Sequence, residues 1–312
     1  MNDNFTLSVI IPVYNGERFI EKAIVSALQQ LEVTEVVVVN DGSTDSTQEI
    51  IEKLQTQNPR IKIYHHKNSF NKGRSASRNL GIKKANEKYI AFLDADDFYL
   101  KNRFTNDVKI FKENKDADGV YNAVDFHFYR ESTPLEKQKL TLNTLTQVIN
   151  PEKLFEALIS GKYGHFQIDG LTVKKEVFGE VGYFNESLIV AEDTELIFKM
   201  ALKCILMPGI LNNPVAKRGI HNDNVFNKRD LYDIYDLKLY ESMYVWSSKN
   251  HFELKTIERF LERIWILQYR KRKKKYSYIF YWVQINLRAP RLLLSYLGIK
   301  YFPLVRLLKK KF

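Results

Sequence analysis

Five short apolar runs rich in β-branched and aromatic residues recur in the first 125 residues: Leu7–Val13, Val36–Val39, Ile61–Tyr64, Tyr89–Leu93 and Val120–Val124. Each has the length of a buried strand. Between the early runs the apolar period changes. Phe19, Ala23, Ala27 and Leu31 repeat every four residues, and Ile50, Ile51 and Leu54 form a stripe behind a Ser46…Glu49 pair with capping-box spacing, so helices are predicted there. Strand, helix, strand repeated in this way predicts an α/β fold with a mostly parallel central sheet flanked by helices. A polar, irregular stretch from Thr133 to Gln147 precedes a helix expected over Pro151–Ala157. From about Asp230 the apolar positions return to helical spacing, at Leu231, Ile234, Leu237, Leu239 and Tyr240, then at Phe260, Leu261, Ile264, Ile266 and Leu267. The expected organisation is one domain over 1–228, with halves at about 1–125 and 126–228, followed by a helical region over 229–312.

Ligands of parallel sheets bind beyond the carboxyl ends of the strands. Polar clusters sit at those ends here: Pro12-Val13-Tyr14-Asn15 after the first strand, Asn40-Asp41-Gly42-Ser43 after the second and Asp94-Ala95-Asp96-Asp97 after the fourth. Three distant segments should therefore converge on one crevice. Alternate side chains of an extended segment share a face, so Asp94 and Asp96 would repel unless a cation or hydrogen-bond donors lay between them. Oxygen ligands of this kind suit Mg²⁺ or Mn²⁺, which keep positions open for substrate phosphates.

Asp41-Gly42-Ser43-Thr44-Asp45 reads as a turn entering a helix, and it leaves Asp41 able to accept a hydrogen bond from a ring N–H such as that of uracil. Arg78 is predicted near the start of a helix, where anions are favoured. Glu192 and Asp193 precede the apolar Leu196-Ile197-Phe198. They serve either as an acidic first turn or as a source of a general base. His221 is a candidate ligand or phosphate contact, although a lone histidine is more often structural.

The net charge of +11 is concentrated at one end: residues 251–312 hold 16 Lys+Arg against 3 Asp+Glu, and the first 250 hold 32 against 34. A nearly neutral body thus carries a cationic appendage that meets something anionic. From Ile264 onward there are 13 Lys+Arg and no acidic residue, with aromatic and aliphatic side chains interleaved. No run approaches 18 uncharged apolar residues, so the expectation is a basic amphipathic segment lying on an anionic membrane surface rather than a spanning helix, the alternative being a solvated face packed on the domain or a dimer. The competing reading of the basic runs, nucleic-acid binding, leaves the acidic strand ends unexplained, and no nucleic-acid partner is expected. Cys204 is the only cysteine, which excludes an intrachain disulfide and fits a buried structural thiol in a reducing compartment. No secretion signal is expected at the N-terminus.

In combination these motifs resemble glycosyltransferase family 2, inverting enzymes of the GT-A fold, in particular its bacterial polysaccharide-type members. The resemblance runs from residue 7 to about 225 through Ser8–Asn15, Val39–Thr47, Asn71–Gly81, Phe92–Asp97, Gly182–Glu186, Glu192-Asp193 and Arg218 with His221. Ser77 and Lys101 depart from the usual pattern, which marks the loops near the donor sugar as individual. The resemblance implies a nucleotide-sugar donor, with UDP favoured, held by Pro12, Tyr14, Asn15, Asp41, Arg78, Asp94, Ala95 and Asp96; of these, Asp41 and Arg78 would contact the base and Asp94 the ribose. It implies Mn²⁺ or Mg²⁺ on Asp96 and His221, Asp193 as catalytic base, and Glu192 and Asp97 on the acceptor side. The acceptor would be a glycan hydroxyl, lipid-linked in surface polysaccharide synthesis, and the enzyme cytoplasmic and peripheral on the inner face of the cell membrane. A relative that binds nucleotide sugar without catalysis is the alternative within this resemblance.

Overall fold

The run Leu7–Val13 forms strand β1, buried along its whole length, in a computed structural model that describes residues 5–224, 229–271 and 274–305. The chain divides into two compact units, Met1–Asn227 and Lys228–Phe312. In the first unit the further strands are β2 (Val33–Asn40), β3 (Ile61–His65), β4 (Tyr89–Phe92), β5 (Phe98–Tyr99), β6 (Gly119–Tyr121), β7 (Val124–Phe128), β8 (Leu171–Lys174), β9 (Leu206–Pro208) and β10 (Ala216–Ile220). Its helices are α1 (Ile20–Leu28), α2 (Thr47–Gln57), α3 (Arg74–Lys84), α4 (Thr105–Glu113), α5 (Pro134–Lys139), α6 (Pro151–Ser160), α7 (Val177–Val181) and α8 (Glu192–Lys203).

A seven-stranded sheet has the order β3-β2-β1-β4-β8-β6-β9, with β8 antiparallel to both its neighbours and the other pairs parallel. This is the expected mostly parallel α/β architecture. Register aligns the strand ends that matter: Val13 pairs with Asn40, and Phe92 pairs with Ile10, so Asp41 and Asp94 leave the sheet on either side of the end of β1. Gly81 lets α3 lie against β1, since a Cβ there would come within 2.4 Å of Ile10 Cγ2.

Four local expectations are corrected. Val120–Val124 is two strands, because the buried Asn122 turns the chain; its amide donates to Asp107 and to the Gly170 carbonyl, and its oxygen accepts from Ile210 N–H. β7 then enters a second sheet of order β5-β10-β7. Leu31 lies beyond α1 and is exposed. Ser46 makes no side-chain cap on α2; Asp45 takes that role, accepting from the N–H and hydroxyl of Thr47. A short helix, α5, interrupts the stretch expected to be irregular, capped by Thr133.

The second unit holds α9 (Arg229–Lys249), α10 (Leu254–Arg270), α11 (Lys275–Leu287) and α12 (Tyr296–Lys300). Ile257, Phe260, Leu261, Ile264 and Trp265 form the buried face of α10, whereas Ile266 is exposed. Tyr281 donates to Glu241, and Trp282 donates to the Gly298 carbonyl, tying α11 to α9 and α12. Among the described residues no helix is long and apolar enough to cross a membrane. Of the basic runs, Arg272, Lys273 and Lys309 to Lys311 lie outside the described residues.

Candidate functional site

Both carboxylate oxygens of Asp41 accept backbone N–H groups, from Lys72 at 2.7 Å and Gly73 at 2.8 Å. These bonds tie the end of β2 to the entrance of α3 around a carboxylate that is itself 1% exposed, with His66 Nε2 3.6 Å from Oδ1. Asn15 knits the β1 end to the same turn: its oxygen accepts from Thr44 N–H and its own N–H donates to Ser43. Pro12 lies in β1, Tyr14 is exposed beside it, and Ala95 packs 3.7 Å from where a Cβ on Gly16 would stand.

Arg78 was expected at the base, but its guanidinium is 2% exposed and committed elsewhere. It donates to Asp94 at 2.5 Å and to Glu192 at 2.8 Å, welding α3 to the end of β4 and the start of α8. Burial opposes its charge, yet Asp94 and Glu192 outweigh burial and hold the guanidinium firmly protonated. Asp94 is partly exposed, and the arginines 78, 74 and 218 overcome the cost of its partial burial and keep its carboxyl below the ordinary range.

Two residues expected on the acceptor side lie inside instead, each 2% exposed. Glu192 faces Arg78, with Arg74 3.6 Å away; burial and the neighbouring Asp193 push its carboxyl up. Asp97 accepts from Gly219 N–H at 2.7 Å, and its carboxylate lies within 4.8 Å of those of Asp94 and Asp169. Burial together with Asp169, Asp96 and Asp94 holds Asp97 well above its usual pKa. A polar anchor beneath the site is therefore their position, because an uncompensated charge at either place would be costly.

Asp169 is the residue that sequence reasoning missed. It accepts the N–H of Asp94 at 3.1 Å, and Asp94, Asp97 and Asp169 each bring a carboxylate oxygen within 4.8 Å of the others. Its sequence setting, Gln167-Ile168-Asp169-Gly170, reads as an ordinary turn.

Asp96 and His221 meet as expected, with Asp96 Oδ2 2.9 Å from His221 Nε2. The pairing depends on β10 running close under the acidic loop, where a Cβ on Gly219 would lie 2.2 Å from the Asp96 carbonyl oxygen. Asn224 donates to the same carboxylate oxygen at 3.0 Å, and Phe19 stacks on the imidazole. Adjacent ligands about 2.1 Å from an octahedral ion lie about 3 Å apart, so this oxygen and nitrogen have the separation and chemistry of two donors to one Mn²⁺ or Mg²⁺. Asp97 and Asp169, by contrast, each already accept a backbone N–H, from Gly219 and Asp94.

Asp193 stands half-buried in the first turn of α8, after Ala191, whose φ of 64° is unfavourable for a residue with a Cβ. Arg218 feels Asp97, Asp169, Asp94 and Asp193, and those carboxylates raise its pKa against the effect of burial. The carboxylates of three segments are thus joined by two arginines. Cys204 is apart from the site, and burial pushes its thiol up to about 12, as suits a structural role.

The family model "Glycosyl transferase family 2" matches residues 8–178. An uncharacterized glycosyltransferase of Rickettsia bellii is 46% identical over 35% of this chain and 15% of its own length. The minor teichoic acid biosynthesis protein GgaA of Bacillus subtilis is 30% identical over 63% of this chain and 43% of its own. The chain therefore spans well under two thirds of these relatives. Among solved structures, S. aureus TarS 1–349 in complex with UDP-GlcNAc superposes with a TM-score of 0.60 at 19% identity, covering 85% of this chain and 73% of that one. The mannosyltransferase PcManGT from Pyrobaculum calidifontis, in complex with GDP-Man and Mn²⁺, gives 0.57 at 16% identity over 84% and 69%. At these identities the likeness establishes the shared GT-A fold.

Proposed function

Because the chain belongs to glycosyltransferase family 2, we propose that it transfers a sugar from a UDP-sugar to a glycan hydroxyl, with inversion at the anomeric carbon. The observation that carries this reading is the continuous polar path from Asp41 through Gly73 and Arg74 to Glu192, Arg78 and Asp94, with Asp193, Asp96 and His221 beside it. UDP is supported by the likeness to TarS, solved with UDP-GlcNAc, and a glycan acceptor by the relative named for teichoic acid synthesis.

In this reading Asp41 accepts a base N–H, and Asp94, held by Arg78, meets the ribose. Asp96 and His221 would hold a divalent cation, which when bound would supply positive charge against the developing charge of the leaving diphosphate. Asp193 takes the proton of the acceptor hydroxyl as it attacks the anomeric carbon through an oxocarbenium-like transition state. Opposite-face attack inverts that centre. The cationic C-terminal region meets an anionic membrane surface on the cytoplasmic side, where a lipid-linked acceptor is presented.

A thermal-shift panel of nucleotide sugars with and without Mn²⁺ tests the donor side. UDP-sugars are expected to raise Tm more than GDP- or dTDP-sugars, with most of the gain requiring metal, since a ligand at about 100 times its Kd adds about 2.7 kcal/mol. Asp96→Asn and His221→Ala should each abolish the metal-dependent part while preserving the Tm of the free protein to within a few degrees. Absence of stabilisation by every nucleotide sugar would remove the proposal, and an unaltered Mn²⁺ response in Asp96→Asn would remove the metal assignment.

A further inference from the structure

Helix α11, KYSYIFYWVQINL, is rich in aromatic and aliphatic residues, with Ser277, Gln284 and Asn286 among them, and the fold covers one side of it. Ile285 and Asn286 are buried, Tyr281 packs edge-on against Trp265, and Trp282 meets Phe302. On the other side Tyr276, Phe280, Val283 and Leu287 are 67, 65, 40 and 66% exposed. Their spacing of four, three and four residues puts them on one stripe, about 16 Å long at 1.5 Å per residue. A contiguous stripe of four large apolar side chains exposed to water implies an occupant.

Charge identifies that occupant. Arg270, Lys271 and Lys274 are exposed just before the stripe begins, and no acidic residue follows Ile264 anywhere in the sequence, against 13 Lys+Arg. Two copies facing each other through this surface would juxtapose like charges, which opposes self-association. Cations at one end of an exposed apolar stripe match a bilayer, where phosphates lie above acyl chains. The next segment continues the pattern with Leu294, Tyr296 and Ile299 exposed.

We propose that the Tyr276–Phe280–Val283–Leu287 face of α11 inserts into the interfacial region of an anionic phospholipid bilayer, with Arg270, Lys271 and Lys274 at the headgroup phosphates. This builds on the membrane reading above and goes further: apolar insertion, beyond charge attraction, holds the protein there. It also assigns the stripe, which hydrophobic periodicity alone does not separate from the buried side of the same helix.

The full-length protein is assayed by co-flotation with vesicles of equimolar phosphatidylglycerol and phosphatidylcholine, and with vesicles of phosphatidylcholine alone. Wild type is expected to partition onto the anionic vesicles. Phe280→Asp/Leu287→Asp, on an exposed face and therefore compatible with folding, should lower the partition coefficient at least about a hundredfold. Its circular dichroism and donor hydrolysis should match wild type. Phe280→Trp serves as a reporter, and its added fluorescence should be quenched by brominated acyl chains in the anionic vesicles. Wild type failing to bind anionic vesicles overturns both this proposal and the membrane reading. Binding that charge-removing Lys271→Gln/Lys274→Gln weakens, while the double Asp variant binds as wild type and the reporter stays unquenched, overturns insertion alone. A concentration-dependent dimer that Phe280→Asp/Leu287→Asp dissolves would assign the stripe to a second copy and also overturn it.

Discussion

Asp193→Asn is expected to lower kcat for sugar transfer by about 10²–10⁴, the usual contribution of a general base, while donor affinity and Tm stay at wild-type values. The geometry favours so clean a separation. Asp193 Oδ1 already accepts the N–H of Thr194 at 2.7 Å, which restrains the carboxylate in the first turn of α8. Asparagine keeps the accepting oxygen and the side-chain volume but cannot take up the proton. Its neighbour Glu192 cannot substitute, because it is buried against Arg78. Steady-state transfer with a saturating donor, alongside a titration of UDP-sugar by fluorescence or calorimetry, checks both halves. Full turnover in a folded Asp193→Asn protein would transfer the role of base to another group.

What the sequence revealed and what it concealed divide along a physical line. Strand ends are set by local apolar runs, so Asp41, Asp94 and Asp96 could be assigned to one sheet edge from pattern alone. The meeting of Asp96 with His221 was legible only through the order of family motifs, because it depends on β10 passing beneath the acidic loop. Long-range ion pairing was not legible. An arginine at a helix start looks ready for an anionic ligand, yet Arg78 is occupied by Asp94 and Glu192. Glu192 and Asp97 likewise look like surface acids until folding gives them an arginine, a glycine N–H and a second carboxyl. Asp169 carries no local signal, since its work is to accept the N–H of Asp94, 75 residues earlier. Val120–Val124 failed as a single strand for a related reason: the bonds that make Asn122 a turning point come from Asp107, Gly170 and Ile210.

Arg78→Leu is expected to destabilise the protein by about 3–5 kcal/mol, the range for removing one partner of a buried ion pair. Leucine leaves Glu192 almost fully buried with only Arg74, at 3.6 Å, as a nearby cation, and frees Asp94 from its restraint. Donor binding should fall as well, because Asp94 then has no fixed orientation. Loss of the cation also raises the Glu192 carboxyl further above its unfolded value. A carboxyl whose folded pKa is raised is at no disadvantage below its unfolded pKa near about 4.3, and it loses stability as pH climbs towards the folded value. The deficit relative to wild type should therefore be smaller at acidic than at alkaline pH in denaturant titrations. Arg78→Lys, which retains charge but reaches only one carboxylate well, should fall between the two. Arg78→Leu/Glu192→Leu should recover much of the stability without recovering transfer, since removing both charges relieves the burial cost while Asp94 remains untethered. If Arg78→Leu unfolds at the wild-type denaturant midpoint, the bridge between α3, β4 and α8 carries no weight in the fold.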